Sequence, residues 1–299
     1  MSGINPSFLK KEIRSDFLVD EKRKKVWAVE LEMLERFDQV CKMHGLTYWA
    51  FYGTLLGAVR HQGFVPWDDD IDLVMFRDDY ERLKAVASRE FREPYFFQDA
   101  YTDRRIWALS KIRDSRTTGI EFRELRDMHQ GIFIDIFPLD SVADGIHQEF
   151  EGTRKTQELL WSIVTDPINV LLCLKQELVD GKRTIEELRV FLDIARKDVR
   201  ERFRLFEEFN LNHFGESEDV NYIIYDLIPS NYKSIKRQWF RETIYLPFEH
   251  IHIPVPIDYD KILIQCYGNY HQYVRGGTAH ENIILEPDIP YRKYFSKYL

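Results

Sequence analysis

The sequence predicts an α+β fold, in which helices flank a mixed β-sheet core and a helical insertion interrupts the chain. Three observations lead to this prediction. Residues 70–75 and 132–137 each alternate between two kinds of side chain with a period of two, which is typical of half-buried strands. Amphipathic patterns of helical spacing precede and separate them. Residues 148–212 then hold long charged and apolar stretches with Pro167 as their only proline, which predicts the insertion.

The composition limits the class of protein. The chain has 299 residues, 14 Gly and 11 Pro, so it can bury a large core and is poor in the residues of low-complexity chains. Its formal net charge of −8 provides no basic field for a nucleic acid, so we expect no nucleic-acid partner. Three separated Cys, without metal-site spacing, favour a reducing compartment and no structural zinc. No secretory signal and no apolar run of about 18 residues is visible, so a cytoplasmic location is expected.

The first predicted element is a helix over residues 22–44. Its apolar side chains recur at helical spacing on two faces, and Gly45 follows as a stop signal. The aromatic-rich residues 46–52 predict a buried strand. Thr54 is expected to be the N-cap of a short helix over 54–61.

A strand over residues 70–75 is predicted after a turn over 63–66. Asp70 and Asp72 alternate with apolar residues there, so we expect both carboxylates on one face of the strand. An amphipathic helix over 78–91, with acids in its first turn, comes next.

A second strand, over residues 132–137, carries a single acid. Asp135 lies among Ile and Phe residues, and the strand is expected to stop at Pro138. Beyond the helical region, residues 222–299 contain aromatic-rich segments separated by proline turns, which are typical of short strands and loops.

The strongest chemical signal is the run Pro66-Trp67-Asp68-Asp69-Asp70-Ile71-Asp72, which has four carboxylates in five positions. Carboxylates this close repel one another unless cations compensate them, and hard divalent cations prefer oxygen ligands. A solvated acidic turn would explain the first two acids. It explains the last two poorly, because they alternate with apolar residues at strand spacing, so the pattern favours metal binding.

Three known acidic motifs also place several carboxylates close together, and this run fits them to different degrees. An EF-hand starting at Asp68 requires Gly at its sixth position and Glu at its twelfth, where this chain has Leu73 and Asp79. A DDxxD prenyl-diphosphate motif requires helical acids and a second cluster, which is absent. A DxD pair of a nucleotide-sugar glycosyltransferase remains an open alternative.

A phosphate-binding turn is predicted close to these acids. Gly53 and Thr54 lie at a strand-to-helix turn, where backbone N–H groups and the helix dipole favour a phosphate and Gly permits its close approach. With the Asp70 and Asp72 pair on the next strand and Asp135 on a later one, this arrangement resembles the nucleotidyltransferase superfamily, which surrounds metal with such acids.

The resemblance extends to one family within that superfamily. The run from Phe51 to Asp72, FYGTLLGAVRHQGFVPWDDDID, is similar to the signature block of the LicD family, which includes bacterial phosphocholine transferases and relatives of fukutin-related protein. The runs Ser110-Lys111-Ile112-Arg113 and Gly131 to Asp140 also resemble family blocks, as do, more loosely, Tyr267-Gly268 and His280. The close match covers residues 46–140.

The resemblance implies an enzyme with a nucleotidyltransferase-type mixed sheet and a CDP-linked donor such as CDP-choline. It implies transfer of the phospho-group to a hydroxyl of a cell-surface glycan, lipopolysaccharide or teichoic acid precursor, with release of CMP. Mg²⁺, or Mn²⁺, is expected on Asp70, Asp72 and Asp135, although Asp135 could instead be the general base.

Further substrate-binding residues are expected around these acids. Lys111 and Arg60 are candidate phosphate cations, and His61 and His280 are candidate proton carriers or phosphate donors, although each could instead be structural. Trp67 could cover a base or the trimethylammonium of choline, or brace its loop. Asp68 and Asp69 are expected to orient the ligands or the turn.

The expected organisation has four segments. They are an N-terminal arm over residues 1–25, a nucleotidyltransferase-like catalytic core over 26–147, a helical insertion over 148–219, and a segment over 220–299 that completes the active-site cleft. Basic clusters suggest peripheral association with the inner face of a membrane, where a lipid-linked glycan acceptor would lie; they are Lys10, Lys11, Lys22–Lys25, Arg292 and Lys293. A phospho-alditol transferase of the same family, a glycosyltransferase and a metal-stabilised binding module are the alternatives. The oligomeric state is not predicted.

Overall fold

A computed structural model describes residues 5–142, 151–226, 235–275 and 282–298. The fold is mixed α+β, as predicted. The chain divides into two compact units, of which the first comprises Met1–Leu139 with Ile235–Leu299 and the second Asp140–Ser234. In the described parts of the chain, none of the helices combines the length and the apolar character that crossing a bilayer requires.

The first unit contains most of the strands. Its strands are β1 (Glu12–Arg14), β2 (Phe17–Val19), β3 (Trp49–Ala50), β4 (Asp72–Phe76), β5 (Tyr95–Gln98), β6 (Ser110–Asp114), β7 (Thr118–Ile120), most of β8 (Phe133–Ser141), β10 (Ile235–Lys236), β11 (Thr243–Phe248), β12 (Ile251–Pro256) and β13 (Ile284–Glu286). Its helices are α1 (Glu21–His44), α2 (Tyr52–His61), α3 (Arg77–Glu90), α9 (Tyr259–Tyr267) and α10 (Tyr291–Tyr298), with short 3-10 helices over Pro6–Leu9 and Arg237–Phe240.

The central sheet of this unit has the strand order β5-β6-β8-β4-β3. Strands β4 and β8 are parallel and the other neighbours are antiparallel, so the sheet is mixed. Every residue of β8 is buried, as expected for a central strand. This arrangement brings the two acid-bearing strands of the sequence side by side.

Helix α1 packs against the core along its length, as its two apolar faces predict. The side chain of Asp20 caps it by accepting the N–H of Arg23, and Gly45 ends it with a left-handed φ of 59°. Trp27, Leu31, Met33 and Phe37 on this helix are fully buried.

Three local predictions were wrong. The strand predicted over 46–52 is only β3, because α2 already begins at Tyr52. Thr54 is inside α2 and caps nothing, since its hydroxyl accepts the N–H of Asp72 instead, at 2.8 Å. Strand β8 continues through Pro138, which lies between the residues paired with β6 and those paired with β9 (Asp219–Asn221), where a missing N–H is tolerated.

The N-terminal hairpin, the turn before the acidic run and the β11–β12 turn are joined by one ion pair. The guanidinium of Arg14 contacts the carboxylate of Glu249 at 2.5 Å, and the same carboxylate accepts the N–H of Phe64 at 3.0 Å. Gly63 lies so close to Glu249 that a Cβ on it would overlap the carboxylate. The turn is therefore held by a residue from far along the chain.

The second unit is largely helical. Besides β9 it contains α4 (Glu151–Thr165), α5 (Pro167–Val179), α6 (Ile185–Ala195), α7 (Val199–Asn212) and α8 (Ile223–Asp226). Asp166 caps α5, whose first residue is proline, and Thr184 and Glu187 form a capping box on α6. Phe203 and Phe206 of α7 are buried, whereas α6 has no buried residue, in agreement with a solvated face in this charged stretch.

Candidate active site

A row of charged residues crosses the middle of the central sheet. Asp72 of β4 is the register partner of Asp135 of β8, and Asp135 is also the register partner of Lys111 of β6. Directly paired residues carry their side chains on the same face of a sheet. The register therefore aligns two carboxylates and one ammonium side by side.

Asp70 joins the two carboxylates from the loop before β4. Asp70 was predicted to lie in the strand, but β4 begins only at Asp72. The residues before β4 still run alongside β8, because Asp135 donates its N–H to the carbonyl of Ile71 at 2.8 Å. Asp70, Asp72 and Asp135 each offer an oxygen, and these three oxygens lie within 4.8 Å of one another. We call these three residues the carboxylate centre.

The carboxylate centre has the donor chemistry of a divalent-cation site. Burial, followed by the charges of Asp70, Asp135 and Asp68, raises the pKa of Asp72 well above its usual range, and Lys111 opposes this shift. Concentrated negative charge on oxygen ligands is what Mg²⁺ and Mn²⁺ bind. The residues present therefore fit such an ion.

The ammonium of Lys111 forms ion pairs with two carboxylates inside the protein. It is 2% exposed, and its ammonium lies 2.9 Å from Asp135 Oδ1 and 3.3 Å from Glu121 Oε1. Glu121 also pairs with the fully buried Arg113. Both cations lie over the ring of Phe133. This network of ion pairs holds the Asp135 carboxylate on the side of β6.

Sequence reasoning missed Glu121, which lies in an irregular segment after β7 and carries no motif. It also missed Glu30 of α1, which is 1% exposed and whose pKa is raised by burial and by Asp70, Asp69 and Asp68. A signal for Glu30 did exist, because it interrupts the apolar stripe between Trp27 and Leu34.

Two glycines let the acidic run pack onto α2. A Cβ on Gly53 would overlap Asp68 Oδ2, and a Cβ on Gly57 would overlap the carbonyl oxygen of Gly63. The carbonyl of Asp68 is also held, by the guanidinium of Arg23 at 2.6 Å and the indole N–H of Trp27 at 3.2 Å. The structure thus brings Asp68 to the Gly53 turn where we expected a phosphate.

Arg60 and His61 lie at the other end of α2. The guanidinium of Arg60 donates to the carbonyl of Tyr270 at 2.9 Å and to His61 Nε2. Burial and then the charges of Arg60 and Arg14 lower the pKa of His61 to about 4, so it is neutral near pH 7. Trp67 makes edge contacts with His61, with ring centres 6.4 Å apart.

Tyr267 and His280 are the remaining candidate residues, and both belong to the C-terminal part of the first unit. Burial, then Cys266 and the three acids Asp72, Asp68 and Asp70, raises the pKa of Tyr267, so this phenol lies within the field of the acidic run. His280 lies outside the described residues.

The predicted basic cluster over residues 22–25 is largely neutralised. Lys22 pairs with Glu286 and Lys25 with Asp288, each at 2.5 Å, and the buried Lys24 pairs with Glu12 at 2.8 Å. These acids weaken the contribution of the cluster to a membrane-binding surface.

The sequence is similar to a known family and to several known proteins. Residues 45–162 match the family described as LicD/FKTN/FKRP, nucleotidyltransferase domain, which confirms the resemblance found in the sequence. The lipopolysaccharide cholinephosphotransferase LicD of Haemophilus influenzae is 29% identical over 252 residues, covering 80% of this chain and 88% of that protein. The human ribitol 5-phosphate transferase FKRP is 26% identical over 99 residues, 33% of this chain and 18% of that protein. An uncharacterized protein of Rickettsia prowazekii is 35% identical over 71 residues, 24% of each chain.

Proposed function

We propose that this chain, with its LicD-type match over residues 45–162, is a metal-dependent phosphotransferase with a nucleotidyltransferase-type core. It moves phosphocholine from CDP-choline to a hydroxyl of a cell-surface glycan or teichoic acid precursor and releases CMP. The observation that carries the proposal is the carboxylate centre beside the N-terminal turn of α2. Similarity to a cholinephosphotransferase over most of the chain favours phosphocholine as the transferred group.

A phospho-alditol such as ribitol phosphate is the alternative group. The similarity to a ribitol 5-phosphate transferase favours it, although that similarity covers only a third of this chain. Both groups are attached to the nucleotide through a diphosphate, so the same centre serves either donor.

In the reaction, the acceptor hydroxyl oxygen forms a bond to the phosphorus that carries choline. The bond from this phosphorus to the bridging oxygen breaks, CMP departs with the bonding electrons, and the hydroxyl proton passes to a base. Asp70, Asp72 and Asp135 would hold a divalent cation, which would supply positive charge to offset that of the diphosphate and of the departing CMP.

The chain's own groups position the donor. The N–H groups of the first turn of α2 favour negative charge, and the Asp68 carboxylate already lies against Gly53 of this turn, so we propose that the donor phosphates lie beside it, at the carboxylate centre. Thr54 fixes the backbone of Asp72 by accepting its N–H, and Lys111 holds Asp135 by contacting both of its carboxylate oxygens, at 2.9 and 3.1 Å. We propose Asp135 as a ligand rather than the general base, because these bonds stabilise its charged form.

The acceptor is proposed to be a glycan or a lipid-linked glycan reached at the cytoplasmic side of a membrane. With the lysines of residues 22–25 paired, the electrostatic part of this proposal depends on Lys10, Lys11, Arg292 and Lys293. Co-sedimentation with vesicles that contain anionic lipid tests it, and binding that is indifferent to salt and to anionic lipid would end it.

Release of nucleotide tests the reaction. The purified chain is incubated with CDP-choline, CDP-ribitol or a UDP-sugar, each with Mg²⁺, with Mn²⁺ or with EDTA. We expect metal-dependent CMP release from a CDP-linked donor, whereas UDP release would identify a glycosyltransferase instead. No release from any donor would contradict the proposal.

Matched variants test the centre. Asp70→Asn, Asp72→Asn and Asp135→Asn each remove one charge without changing volume, and each is expected to lower the rate of CMP release at least 100-fold, on the order of a lost transition-state contact. Asp193→Asn, on the exposed face of α6, removes the same charge elsewhere and should leave the rate unchanged. Near-normal turnover in one of the three variants would remove that residue from the centre.

A further inference from the structure

A patch of rings and guanidinium groups lies next to the acidic run in the first unit. We call it the arginine–aromatic face, and it consists of Phe17, Arg60, His61, Trp67, Tyr273 and Arg275. The Arg60 guanidinium lies 4.5 Å from the centre of the Tyr273 ring, and that of Arg275 lies 4.8 Å from the centre of Phe17. Trp67 makes an edge contact with Phe17, with ring centres 6.1 Å apart, and His61 makes one with Tyr273, with ring centres 5.3 Å apart.

The two guanidinium groups of this face differ in their partners from most arginines in the described residues. Across the described residues, no carboxylate forms an ion pair with Arg60 or Arg275, whereas most other arginines of the chain have such a partner. Arg60 is half-buried and donates only to backbone carbonyls and to His61. These contacts engage four of the five guanidinium N–H groups, so Arg60 keeps one N–H donor and its charge for an anion.

His61 adds a donor rather than a charge. Its Nε2 faces the Arg60 guanidinium, which cannot accept a hydrogen bond, so Nε2 is the acceptor and the ring proton lies on Nδ1. The neutral ring can therefore donate one hydrogen bond to a ligand without adding positive charge.

A quaternary ammonium does not suit this face. Sites for choline offer ring faces free of other cations, because the attraction comes from the negative face of the ring. Here the rings of Tyr273 and Phe17 already carry guanidinium groups within 5 Å of their centres. Trp67 contacts Phe17 and His61 edge-on, and its three sequence-based roles, against a base, against a trimethylammonium or as a brace of its loop, stay predictions.

Two segments connect this face to the carboxylate centre. Helix α2 has Thr54 bonded to Asp72 near one end and Arg60 near the other, a separation of about 9 Å at 1.5 Å per residue. The segment after α9 runs the same way, from Tyr267 in the field of the acids to Tyr270 and Tyr273 at Arg60. A nucleoside diphosphate has a length suited to this separation.

We propose that the arginine–aromatic face binds the nucleotide half of the donor, a pyrimidine base stacked on Tyr273 with its phosphate on Arg60, and that the choline or alditol group lies away from it. This inference rests on the proposed function, which supplies a pyrimidine nucleotide as part of the donor. Tyr273 suits a stacking role because its side chain is 54% exposed and Arg60 lies over the ring.

Calorimetric titration of the full chain in EDTA tests the inference without turnover or metal. The probes are CMP, cytidine, inorganic phosphate and phosphocholine. Wild type should bind CMP more tightly than cytidine or phosphate alone. Arg60→Met should weaken CMP about 10- to 100-fold, because it removes a charge-assisted hydrogen bond, and Arg60→Lys should restore part of the loss. Tyr273→Leu should weaken CMP and cytidine by a similar factor and leave phosphate unchanged.

Two controls separate binding from folding. Arg126→Met removes another guanidinium that lies over an aromatic ring, 5.9 Å from the ring of Phe295, and should leave CMP binding unchanged. Thermal unfolding of each variant checks that the chain is folded. Tyr273→Leu also keeps the test decisive if loss of Arg60 unfolds the segment it holds.

The inference is overturned if wild type fails to bind CMP at millimolar concentration, or if Arg60→Met and Tyr273→Leu bind CMP as wild type does. It is also overturned if these changes weaken phosphocholine instead of CMP. These results are distinguishable from failure of the proposed function. Suppose that the enzyme turns over a CDP-linked donor but the variants bind CMP as wild type does; only the role of the arginine–aromatic face is then rejected. If CMP binding depends on Arg60 but no CDP-linked donor is turned over, only the proposed function is rejected.

Discussion

Replacing Asp72 by Asn tests the electrostatics of the carboxylate centre. The three carboxylate oxygens lie within 4.8 Å of one another. Two unit charges at that separation repel by about 3 kcal/mol at an effective dielectric constant of 20 and by about 1 kcal/mol in water. Asp72 faces two such partners, while the compensating Lys111 is paired with Asp135 and Glu121. Without metal, we therefore expect Asp72→Asn to raise the free energy of unfolding by about 1 to 3 kcal/mol.

Divalent metal should reverse the order of stability. A ligand that binds only the folded state at 100 times its Kd stabilises that state by about 2.7 kcal/mol. Urea unfolding is followed by circular dichroism in EDTA and in increasing Mg²⁺, for wild type, Asp72→Asn and the exposed control Asp193→Asn. Mg²⁺ should stabilise wild type and the control by similar amounts and stabilise Asp72→Asn much less.

Two results would refute the reasoning. One is an Asp72→Asn protein that is less stable than wild type in EDTA, which would mean that this carboxylate stabilises the fold. The other is a wild type whose unfolding is indifferent to both Mg²⁺ and Mn²⁺, which would mean that the three acids do not form a cation site.

Three further outcomes are expected. Thr54→Val should lower the free energy of unfolding by about 1 to 3 kcal/mol, since the Asp72 N–H loses its acceptor, and urea unfolding measures this. Gly57→Ala should destabilise the chain despite a helix propensity gain of about 1 kcal/mol, because the new Cβ overlaps the backbone of Gly63, and the melting temperature should fall. His129 has its pKa lowered to about 3 by burial and by nearby arginines, so the unfolded chain takes up its proton below about pH 6.5 and the folded chain does not. Stability is therefore lost as pH falls, by about 2 kcal/mol from pH 7 to pH 5, and His129→Gln should remove this part of the loss in urea titrations at the two pH values.

The Thr54→Val prediction has a matched control variant, and each of the three predictions has a result that would contradict it. Thr165→Val removes an exposed hydroxyl that bonds only within its own helix, and should have little effect. An unfolding free energy for Thr54→Val equal to that of this control would show that the Asp72 backbone finds another acceptor. A Gly57→Ala protein that melts above wild type would mean that the loop moves away freely. Equal pH dependence in wild type and His129→Gln would mean that the buried imidazole does not control acid stability.

The spacing of apolar and polar residues within single segments was sufficient to predict several helices and strands. The apolar spacing and the terminal Gly45 predicted α1 to within one residue at its start. Alternation predicted the acid-bearing strands, and the mixed α+β fold follows from them. These features depend on residues that lie a few positions apart in the sequence, so their periodicity can be read from the sequence itself.

The arrangement of the site depends on pairings between distant segments. The pairing of Asp135 with Asp72 on one side and with Lys111 on the other depends on the register between distant strands, which alternation does not specify. For the same reason the sequence left open whether Lys111 binds phosphate or forms an ion pair, and the structure shows its ammonium paired with Asp135 and Glu121. Thr54 was predicted as a helix cap from its residue type, but a backbone N–H from another strand reaches its hydroxyl.

The carboxylate of Glu249, which holds the turn before the acidic run, is translated nearly 190 residues after that turn. A nascent chain carries Gly63 and Phe64 out of the ribosome long before the group that binds Phe64 and Arg14 exists. The helices and strands on either side of the turn can form early, but the turn cannot take its final position on a nascent chain that stops short of Glu249. Partly synthesised chains therefore carry all the acids of the centre without the completed loop, and the loop is among the last parts of the first unit to reach its final position.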